Sequence, residues 1–129
     1  MNVLVVDDHE RTRDAIAGLI NREVDLNVVG EAGSGQEAIV QAQALRPDVL
    51  VMDLAMPGIN GMEATETIRA TCPDTRVLVL SNHVGGQLVK AAMDRGASGY
   101  IRKDRAHEEL IAGIRAVSTG NTFIGEAVP

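Results

Sequence analysis

The sequence has no tryptophan and only one tyrosine, one phenylalanine and one cysteine among its 129 residues. Because 45% of the residues are hydrophobic and so few of those are aromatic, the interior must be packed from aliphatic side chains. The single cysteine, Cys72, excludes an internal disulfide and fits a reducing compartment, so we expect a cytoplasmic protein. The length is enough for one domain with its own core and too short for two ordinary domains.

Long apolar runs and an excess of positive charge are also missing. No apolar stretch approaches the roughly 18 residues of a membrane-spanning helix, and the chain does not open on the basic-then-apolar pattern of a secretory signal. We therefore expect no membrane association. The formal net charge is −6, which argues against direct nucleic-acid binding by this segment. Neither a dinucleotide nor a P-loop glycine motif occurs, so nucleotide binding is not expected.

The sequence does contain short apolar runs that are each followed by a polar residue. Runs of this length are typical of strands buried on both faces of a parallel sheet. The four clearest are residues 3–6, 49–52, 77–80 and 99–102, which are followed by Asp7 and Asp8, Asp53, Ser81, and Lys103. The carboxyl ends of parallel strands open onto one crevice, where ligands bind. The sequence thus predicts that three carboxylates, a hydroxyl and an ammonium group meet there.

Helical patterns alternate with these strands. Residues 10–21 place apolar residues on one face, and a capping box begins a further helix at Ser34. A helix is also predicted from about Gln87 to Arg95, with Gly96 placed to end it. Two more helices are predicted, one after Gly61 and one from near Asp104. With a weaker edge strand at 26–30, the order becomes (βα)₅. This order predicts a three-layer α/β fold in which helices cover both faces of a five-stranded parallel sheet.

The last residues of the chain lose the helical periodicity. They contain Gly120, Gly125 and Pro129. We therefore expect one domain over residues 1–117, followed by the start of a linker or a C-terminal tail over residues 118–129.

The composition of the predicted crevice favours phosphoryl chemistry. Carboxylates held together repel one another, and a divalent ion with oxygen ligands relieves that repulsion. Mg²⁺ takes one or two carboxylates, keeps several waters and binds phosphate oxygens, while a lysine suits one phosphoryl oxygen. An aspartate between such a metal and a lysine can attack phosphorus and form an aspartyl phosphate. Transfer of this kind depends mainly on positioning and charge neutralisation.

Four motifs, taken together and in order, resemble the receiver domain of two-component response regulators over nearly the whole chain. They are Val-Val-Asp-Asp-His at 5–9, Asp-Leu-Ala-Met-Pro-Gly-Ile-Asn-Gly at 53–61, Leu-Ser-Asn-His at 80–83 and Gly-Ala-Ser-Gly-Tyr-Ile-Arg-Lys-Asp at 96–104. The last motif, with Asn-Thr-Phe at 121–123, is most similar to the NarL/FixJ subfamily, whose members usually carry a LuxR-type helix-turn-helix output. The resemblance implies a CheY-like, flavodoxin-like sheet in the order 2-1-3-4-5.

The resemblance also implies a phosphorylation site and a Mg²⁺ site. Asp53 corresponds to the phosphoacceptor, which receives its phosphoryl group from a histidine kinase or a phosphotransfer protein. Asp8 corresponds to the main metal-binding carboxylate, with Asp7 beside it acting partly through water. Asp53 and the backbone carbonyl of Ala55 complete the protein ligands to Mg²⁺. Lys103 corresponds to the residue that pairs with a phosphoryl oxygen.

A switch and an output follow from the same resemblance. Ser81 corresponds to the hydroxyl that moves towards the phosphoryl group, and Tyr100 to the aromatic residue that turns inward behind it. Homodimer formation on phosphorylation and control of transcription through a DNA-binding domain absent from this chain are then expected. The chain is not expected to be an enzyme. It is expected to assist its own phosphorylation and also its own dephosphorylation, which is slow.

Two departures from the family pattern keep other functions in view. Asn82 stands where alanine or glycine is common, and Asp104 stands where many receivers have proline. A larger side chain at position 82 restricts access to the phosphoryl group, so a stand-alone or phosphorylation-independent interaction module remains an alternative. A phosphatase that forms an aspartyl phosphate is disfavoured because no general acid stands near the nucleophile. A flavin-binding electron carrier is disfavoured by the three acids in the crevice.

Overall fold

Strands and helices alternate along the chain, as the apolar pattern predicts. The structure is a computed structural model that describes residues 1–54, 60–126 and 128. The strands are β1 (Asn2–Val6), β2 (Asn27–Ala32), β3 (Val49–Asp53), β4 (Arg76–Ser81), β5 (Gly99–Arg102) and β6 (Phe123–Ile124). The helices are α1 (Glu10–Asn21), α2 (Gly35–Leu45), α3 (Gly61–Thr71), α4 (Gly86–Asp94) and α5 (Ala106–Ser118), with a 3₁₀ turn at Lys103–Arg105 before α5.

The strands form one parallel sheet in the order β2-β1-β3-β4-β5-β6. The predicted α/β class, the parallel sheet and the edge position of β2 are confirmed. The predicted number of strands was wrong, because a sixth strand extends the sheet beyond β5. The pairing of β1 with β2 is also irregular: Val3 pairs with Val28 and Leu4 with Gly30, so the register skips Val29.

The sixth strand was not predicted, because its sequence carries no strand pattern and its structure depends on pairing with β5. It is two residues long, too short for any alternation to be visible. Its backbone adds to the free edge of β5: the Phe123 amide donates to the Ser98 carbonyl at 3.0 Å, and the Gly125 amide donates to the Tyr100 carbonyl at 2.9 Å. Tertiary pairing therefore decides the structure of this segment.

The sheet separates two apolar clusters, which gives the predicted three layers. On one face, α2, α3 and α4 contribute Ala38, Ala42, Ala64, Ile68, Val89 and Ala92 to the first cluster. On the other face, α1 and α5 contribute Ile16, Ile20, Leu110, Ile114 and Val117 to the second. Aliphatic side chains dominate both clusters, and β3 is buried along its whole length between them. No helix in the described parts of the chain combines the length and apolar composition needed to cross a bilayer.

Side-chain caps determine where two of the helices begin. The Ser34 hydroxyl accepts from the Glu37 amide at 3.2 Å, and the Glu37 carboxylate accepts from the Gly33 amide at 2.6 Å. At the start of α3, the Asn60 side chain accepts from the Glu63 amide at 3.0 Å. Each cap satisfies amides that the first helical turn leaves unpaired. The α3 cap matters for the site, because it fixes the helix that follows Asp53 and Leu54.

Candidate functional site

The carboxyl ends of β1, β3, β4 and β5 bring the predicted polar side chains to one end of the sheet. Asp7 follows β1, Asp53 is the last residue of β3, Ser81 is the last residue of β4, and Lys103 follows β5 directly. Each of these strands runs parallel to its neighbours, so their final residues lie side by side. Asp7 is 1% exposed, Asp53 5% and Ser81 1%, which is unusual for polar residues and requires partners.

Lys103 is the cation that holds the buried carboxylates together. Its Nζ lies 2.6 Å from Asp7 Oδ2 and 3.5 Å from Asp53 Oδ2. Burial alone would lower the pKa of Lys103, but the contact with Asp7 and the charge of Asp53 outweigh it, and the pKa is raised. Lys103 is therefore a fixed positive charge at neutral pH, placed between two aspartates from different strands.

The acidic cluster offers oxygen ligands for a metal ion. Ligand atoms of Asp7, Asp8, His9 and Asp53 all lie within 4.8 Å of one another. Asp7 Oδ2 and Asp8 Oδ1 are buried and accept no hydrogen bond from the described residues; their close contacts are ion pairs with Lys103 and His9. When all three acids are ionised they face one lysine, which leaves two negative charges. A divalent cation with oxygen ligands fits this donor set in both charge and type.

Asp7 is held rigidly by its surroundings. Its amide donates to the Ala32 carbonyl at 3.0 Å, and its carbonyl accepts from the Arg13 guanidinium at 2.8 Å. The His9 amide donates to Asp7 Oδ1 at 2.8 Å, so one carboxylate oxygen is occupied by the backbone while the other faces Lys103. The turn after β1 thus orients Asp7 and leaves Asp8 as the more accessible acid, with a side chain that is 24% exposed.

Gly61 allows α3 to start directly against the backbone of Asp53. A Cβ at this position would lie 2.5 Å from the Asp53 carbonyl oxygen and 2.6 Å from the Leu54 Cα. Both are backbone atoms that no side-chain rotation can move aside. The Gly61 amide also donates to the Leu54 carbonyl at 3.1 Å. The Asn60-Gly61 pair was identified in the sequence only as a helix start, and its close approach to the site depends on a tertiary contact that the sequence does not display.

Ser81 and Tyr100 are linked through the segment between β4 and α4. The Ser81 hydroxyl accepts from the His83 amide at 3.0 Å, and the Tyr100 hydroxyl donates a short hydrogen bond to the His83 carbonyl. Tyr100 is fully buried, so its ring already lies inward in this structure. Burial raises the pKa of Tyr100, against the opposing effect of a hydrogen bond with Ser81. The structure therefore brings together the two residues that the sequence assigned to a switch.

The entrance to the site includes the unusual residue at position 82. A cavity of 370 Å³ beside the acidic cluster is lined by His9, Thr12, Asn82, Lys103 and Asp104. Asn82 therefore lies at the mouth of the site, where the sequence predicted an influence on access. Ala55, whose carbonyl was predicted as a metal ligand, lies outside the described residues.

His9 is the residue at the site to which sequence reasoning assigned no role. Its ring Nδ1 lies 3.0 Å from Asp8 Oδ1 and 3.4 Å from Asp7 Oδ1, although its side chain is 70% exposed. The exposed ring is typical of a histidine in a loop. The signal that was available is its position directly after two aspartates at a strand end.

Comparisons with known proteins agree with this geometry. The profile of the response regulator receiver domain family matches residues 3–115. The chain is 38% identical over 128 residues to the response regulator UvrY of Escherichia coli, which covers 99% of this chain and 59% of that protein. It is 38% identical over 122 residues to the response regulator protein VraR of Staphylococcus aureus, which covers 95% of this chain and 58% of that protein. The chain therefore spans somewhat more than half the length of these curated relatives.

Solved structures share the arrangement of strands and helices. A crystal structure of a LuxR-family two-component response regulator from Aurantimonas superposes with a TM-score of 0.90 at 36% sequence identity. The match covers 95% of this chain and 87% of that one. At this identity the likeness extends to sequence as well as fold.

Proposed function

The chain belongs to the response regulator receiver domain family, and from that premise we propose that it is a signalling switch phosphorylated on Asp53. The observation that carries this proposal is the placement of Asp53 at a strand end, 3.5 Å from Lys103 and within the acidic cluster. A carboxylate beside a fixed cation and a divalent-ion site has what an aspartate needs to accept a phosphoryl group.

The transfer itself requires one bond to form and one to break. A carboxylate oxygen of Asp53 forms the new bond to phosphorus while the bond from phosphorus to the donor's leaving atom breaks. In a histidine kinase or phosphotransfer protein the leaving atom is an imidazole nitrogen, which keeps the electron pair and takes up a proton. Lys103 balances the charge of the phosphoryl oxygens throughout, because its raised pKa keeps it protonated.

Mg²⁺ is the metal that this donor set fits, and when bound it supplies further charge neutralisation. We propose Asp8 and Asp53 as direct ligands and Asp7 as a ligand acting partly through water. The engagement of Asp7 with the His9 amide and with Lys103 supports an indirect role. The carbonyl of Ala55 completes the proposed protein ligands.

The output of the phosphorylated state is the part of the proposal that reaches beyond this chain. Because its relatives UvrY and VraR are longer response regulators, we propose that this receiver acts with a DNA-binding domain and so controls transcription. We propose residues 1–117 as the receiver domain and residues 118–129 as a linker or tail whose strand β6 pairs with β5, and we expect homodimers on phosphorylation. Response regulators are generally cytoplasmic, and we propose the same compartment here. Slow hydrolysis of the aspartyl phosphate would return the switch to its resting state.

Incubation with acetyl phosphate and Mg²⁺, followed by intact mass measurement, tests the phosphoacceptor. We expect one phosphoryl adduct that hydroxylamine removes, and none in the Asp53→Asn variant, because the amide cannot act as the nucleophile. Asp104→Asn is the matched control: this acid lies at the same entrance but is 64% exposed and pairs with Arg102, so the adduct should persist. Full labelling of Asp53→Asn would move the phosphorylation site to another acid.

A further inference from the structure

The end of the chain forms a strap across β5, which we define as residues 123–126, the strand β6 with the turn that follows it. Within the sheet, Gly99 is paired with Phe123 and Tyr100 with Ile124. The strap is anchored by the amide bonds from Phe123 to Ser98 and from Gly125 to Tyr100. Val128, just beyond the strap, is 8% exposed and belongs to the same apolar cluster as Tyr100. The strap therefore lies on the edge of the sheet next to the predicted switch residue.

The domain leaves a space that fits the strap. A Cβ on Gly99 would lie 2.9 Å from the Phe123 carbonyl oxygen, and a Cβ on Gly113 would lie 3.2 Å from the Phe123 ring. Two glycines, one on β5 and one on α5, thus leave the room in which Phe123 sits. Because Phe123 packs against the α1–α5 cluster while Val128 joins the opposite one, the segment crosses the edge of the sheet from one face to the other.

Glu109 of α5 clamps the strap through its carboxylate. Glu109 Oε2 accepts from the Glu126 amide at 2.7 Å, and its side chain is only 11% exposed. Arg105 lies 3.8 Å from Glu109 and 3.5 Å from Glu126, so the cation links helix and strap. A Cβ on Gly125 would approach Glu109 Oε1 to 3.0 Å, which makes the fit tight. The strap is held by charge and shape as well as by strand pairing.

Tyr100 connects this strap to the phosphorylation site. Its carbonyl accepts the strap's Gly125 amide, while its hydroxyl donates to the His83 carbonyl, two residues after Ser81. We propose that the strap and Tyr100 form one coupled switch, in which the strap stays docked while the tyrosine ring is inward and undocks when the ring turns outward. Tyr100 and Val128 are buried in the same apolar cluster, so a ring that leaves this cluster changes the packing next to the docked strap. Coupling of this kind is reciprocal, so releasing the strap must also loosen the ring.

The single tyrosine of the chain makes this coupling measurable. There is no tryptophan, so the intrinsic fluorescence reports on Tyr100 alone. We expect Glu109→Ala to speed hydrogen exchange at the Gly125 and Glu126 amides and, in the same protein, to increase quenching of Tyr100 by acrylamide. Glu108→Ala is the matched control, because Glu108 is an exposed neighbour on the same helix and should change neither readout. Faster exchange with unchanged quenching, or no change in exchange, would overturn the proposal.

A second variant tests the coupling from the other direction. Tyr100→Phe keeps the ring and removes the hydrogen bond to His83, so we expect faster exchange at Gly125 and Glu126 although neither residue is altered. The size expected for a coupled pair of sites is about fivefold or more. Exchange equal to that of the original protein would mean that the ring and the strap are independent, and the proposal would fail.

The link to phosphorylation rests on the proposed function and has its own measurement. Beryllofluoride with Mg²⁺ stands in for the phosphoryl group on Asp53, and we expect it to slow exchange at Gly125 and Glu126 by about fivefold or more. If beryllofluoride binds, as seen by its fluorine resonance, and exchange is unchanged, the strap does not respond to the site and this link is wrong. If beryllofluoride does not bind, the proposed phosphorylation is contradicted, while the Glu109→Ala and Tyr100→Phe measurements still decide the switch.

Discussion

At the scale of single residues, the site contains buried carboxylates whose negative charge is partly neutralised by one lysine. Asp7 and Asp53 are almost fully buried, and a buried carboxylate without a cation is strongly unfavourable. Lys103 contacts both, so it stabilises the resting site and is also the residue placed to meet a phosphoryl oxygen. Among the described residues Asp8 pairs with His9, whereas Asp7 and Asp53 pair with Lys103, which leaves Asp8 the acid best suited to respond to a metal.

Replacing Asp8 with Asn removes one anionic ligand and should weaken Mg²⁺ binding by about tenfold or more, a loss typical even of residues that only support metal ligands. The fold should be retained, because Asn has a similar volume and Asp8 is partly exposed. Calorimetric titration with Mg²⁺ provides the measurement. Asp14→Asn, which alters an exposed acid on α1, is the control and should bind as the original protein does. Equal affinities for the two variants would contradict the proposed ligand set.

Replacing Ser81 with Ala should separate phosphorylation from signalling. The hydroxyl is not the nucleophile, so the adduct on Asp53 should still form. The His83 amide loses its acceptor, and the free energy of unfolding should fall by about 1–3 kcal/mol. Beryllofluoride should then produce much smaller changes in the NMR spectrum of residues 84–105 than in the original protein. Ser81→Thr keeps the hydroxyl and should restore them; changes of the original size in Ser81→Ala would rule out this route.

At the scale of elements, the site depends on how closely α3 follows β3. The helix begins at Gly61, and that glycine touches the backbone of Asp53 and Leu54. The position of Asp53 is therefore determined by the start of the next helix as well as by its own strand. A similarly close fit occurs at the β5–β6 edge of the sheet, where glycines on β5 and α5 make room for Phe123.

Gly61→Ala should push α3 away from the site. The added methyl group would lie closer to two backbone atoms than van der Waals contact allows. Overpacking of this kind lowers the free energy of unfolding by about 1–3 kcal/mol. Urea unfolding measures the change, and the rate of phosphorylation by acetyl phosphate should fall with it because Asp53 is displaced. Gly18→Ala in α1 is the matched control: no atom lies within 4 Å of its Cβ, and alanine should be neutral or up to about 1 kcal/mol stabilising in a helix. Equal stability of the two variants would refute the close contact.

Most of the elements could be predicted, because their signals are local. Apolar runs placed β1, β3 and β4, and a Ser-to-Glu capping box placed α2, since strand burial and helix caps are written in adjacent residues. The convergence of Asp7, Asp53 and Lys103 was also predictable, because parallel strands end at one edge. β6 was not, because it depends on a strand distant in sequence, and the approach of Gly61 was not, because it depends on how α3 packs against the end of β3.

At the scale of the whole molecule, the charged site lies at the carboxyl ends of the strands, and the apolar side chains pack on the two faces of the sheet. The apolar clusters lie above and below the sheet, while Asp7, Asp53 and Ser81 are buried polar residues at the carboxyl ends of its strands. Two protonated groups near that edge, Tyr100 and Lys103, have raised pKa values. Loss of either proton therefore changes the free energy of unfolding of the domain.

The free energy of unfolding should decrease in alkaline solution. A group with a raised pKa binds its proton more tightly in the folded chain, so its contribution is complete below its ordinary pKa and is lost as the pH rises through the folded value. The loss should begin above the ordinary values of 10.0 for Tyr100 and 10.5 for Lys103. Urea titrations between about pH 9 and about pH 12 give the profile, and tyrosinate absorbance follows Tyr100 alone. Tyr100→Phe should remove the earlier part of the decline; constant stability over this range would contradict both shifts.

The skipped register at Val29 has a consequence for how molecules of this protein meet one another. An open sheet ends in strands whose unpaired amides can recruit a strand from a neighbouring molecule, which is how ordered aggregates begin. Here the strand at one border, β2, is irregular, because its pairing with β1 passes from Val28 to Gly30, and the strand at the opposite border has only two residues. Irregular and very short borders make poor templates for intermolecular strand addition. We therefore expect both edges of the sheet to resist the strand addition that begins a fibril.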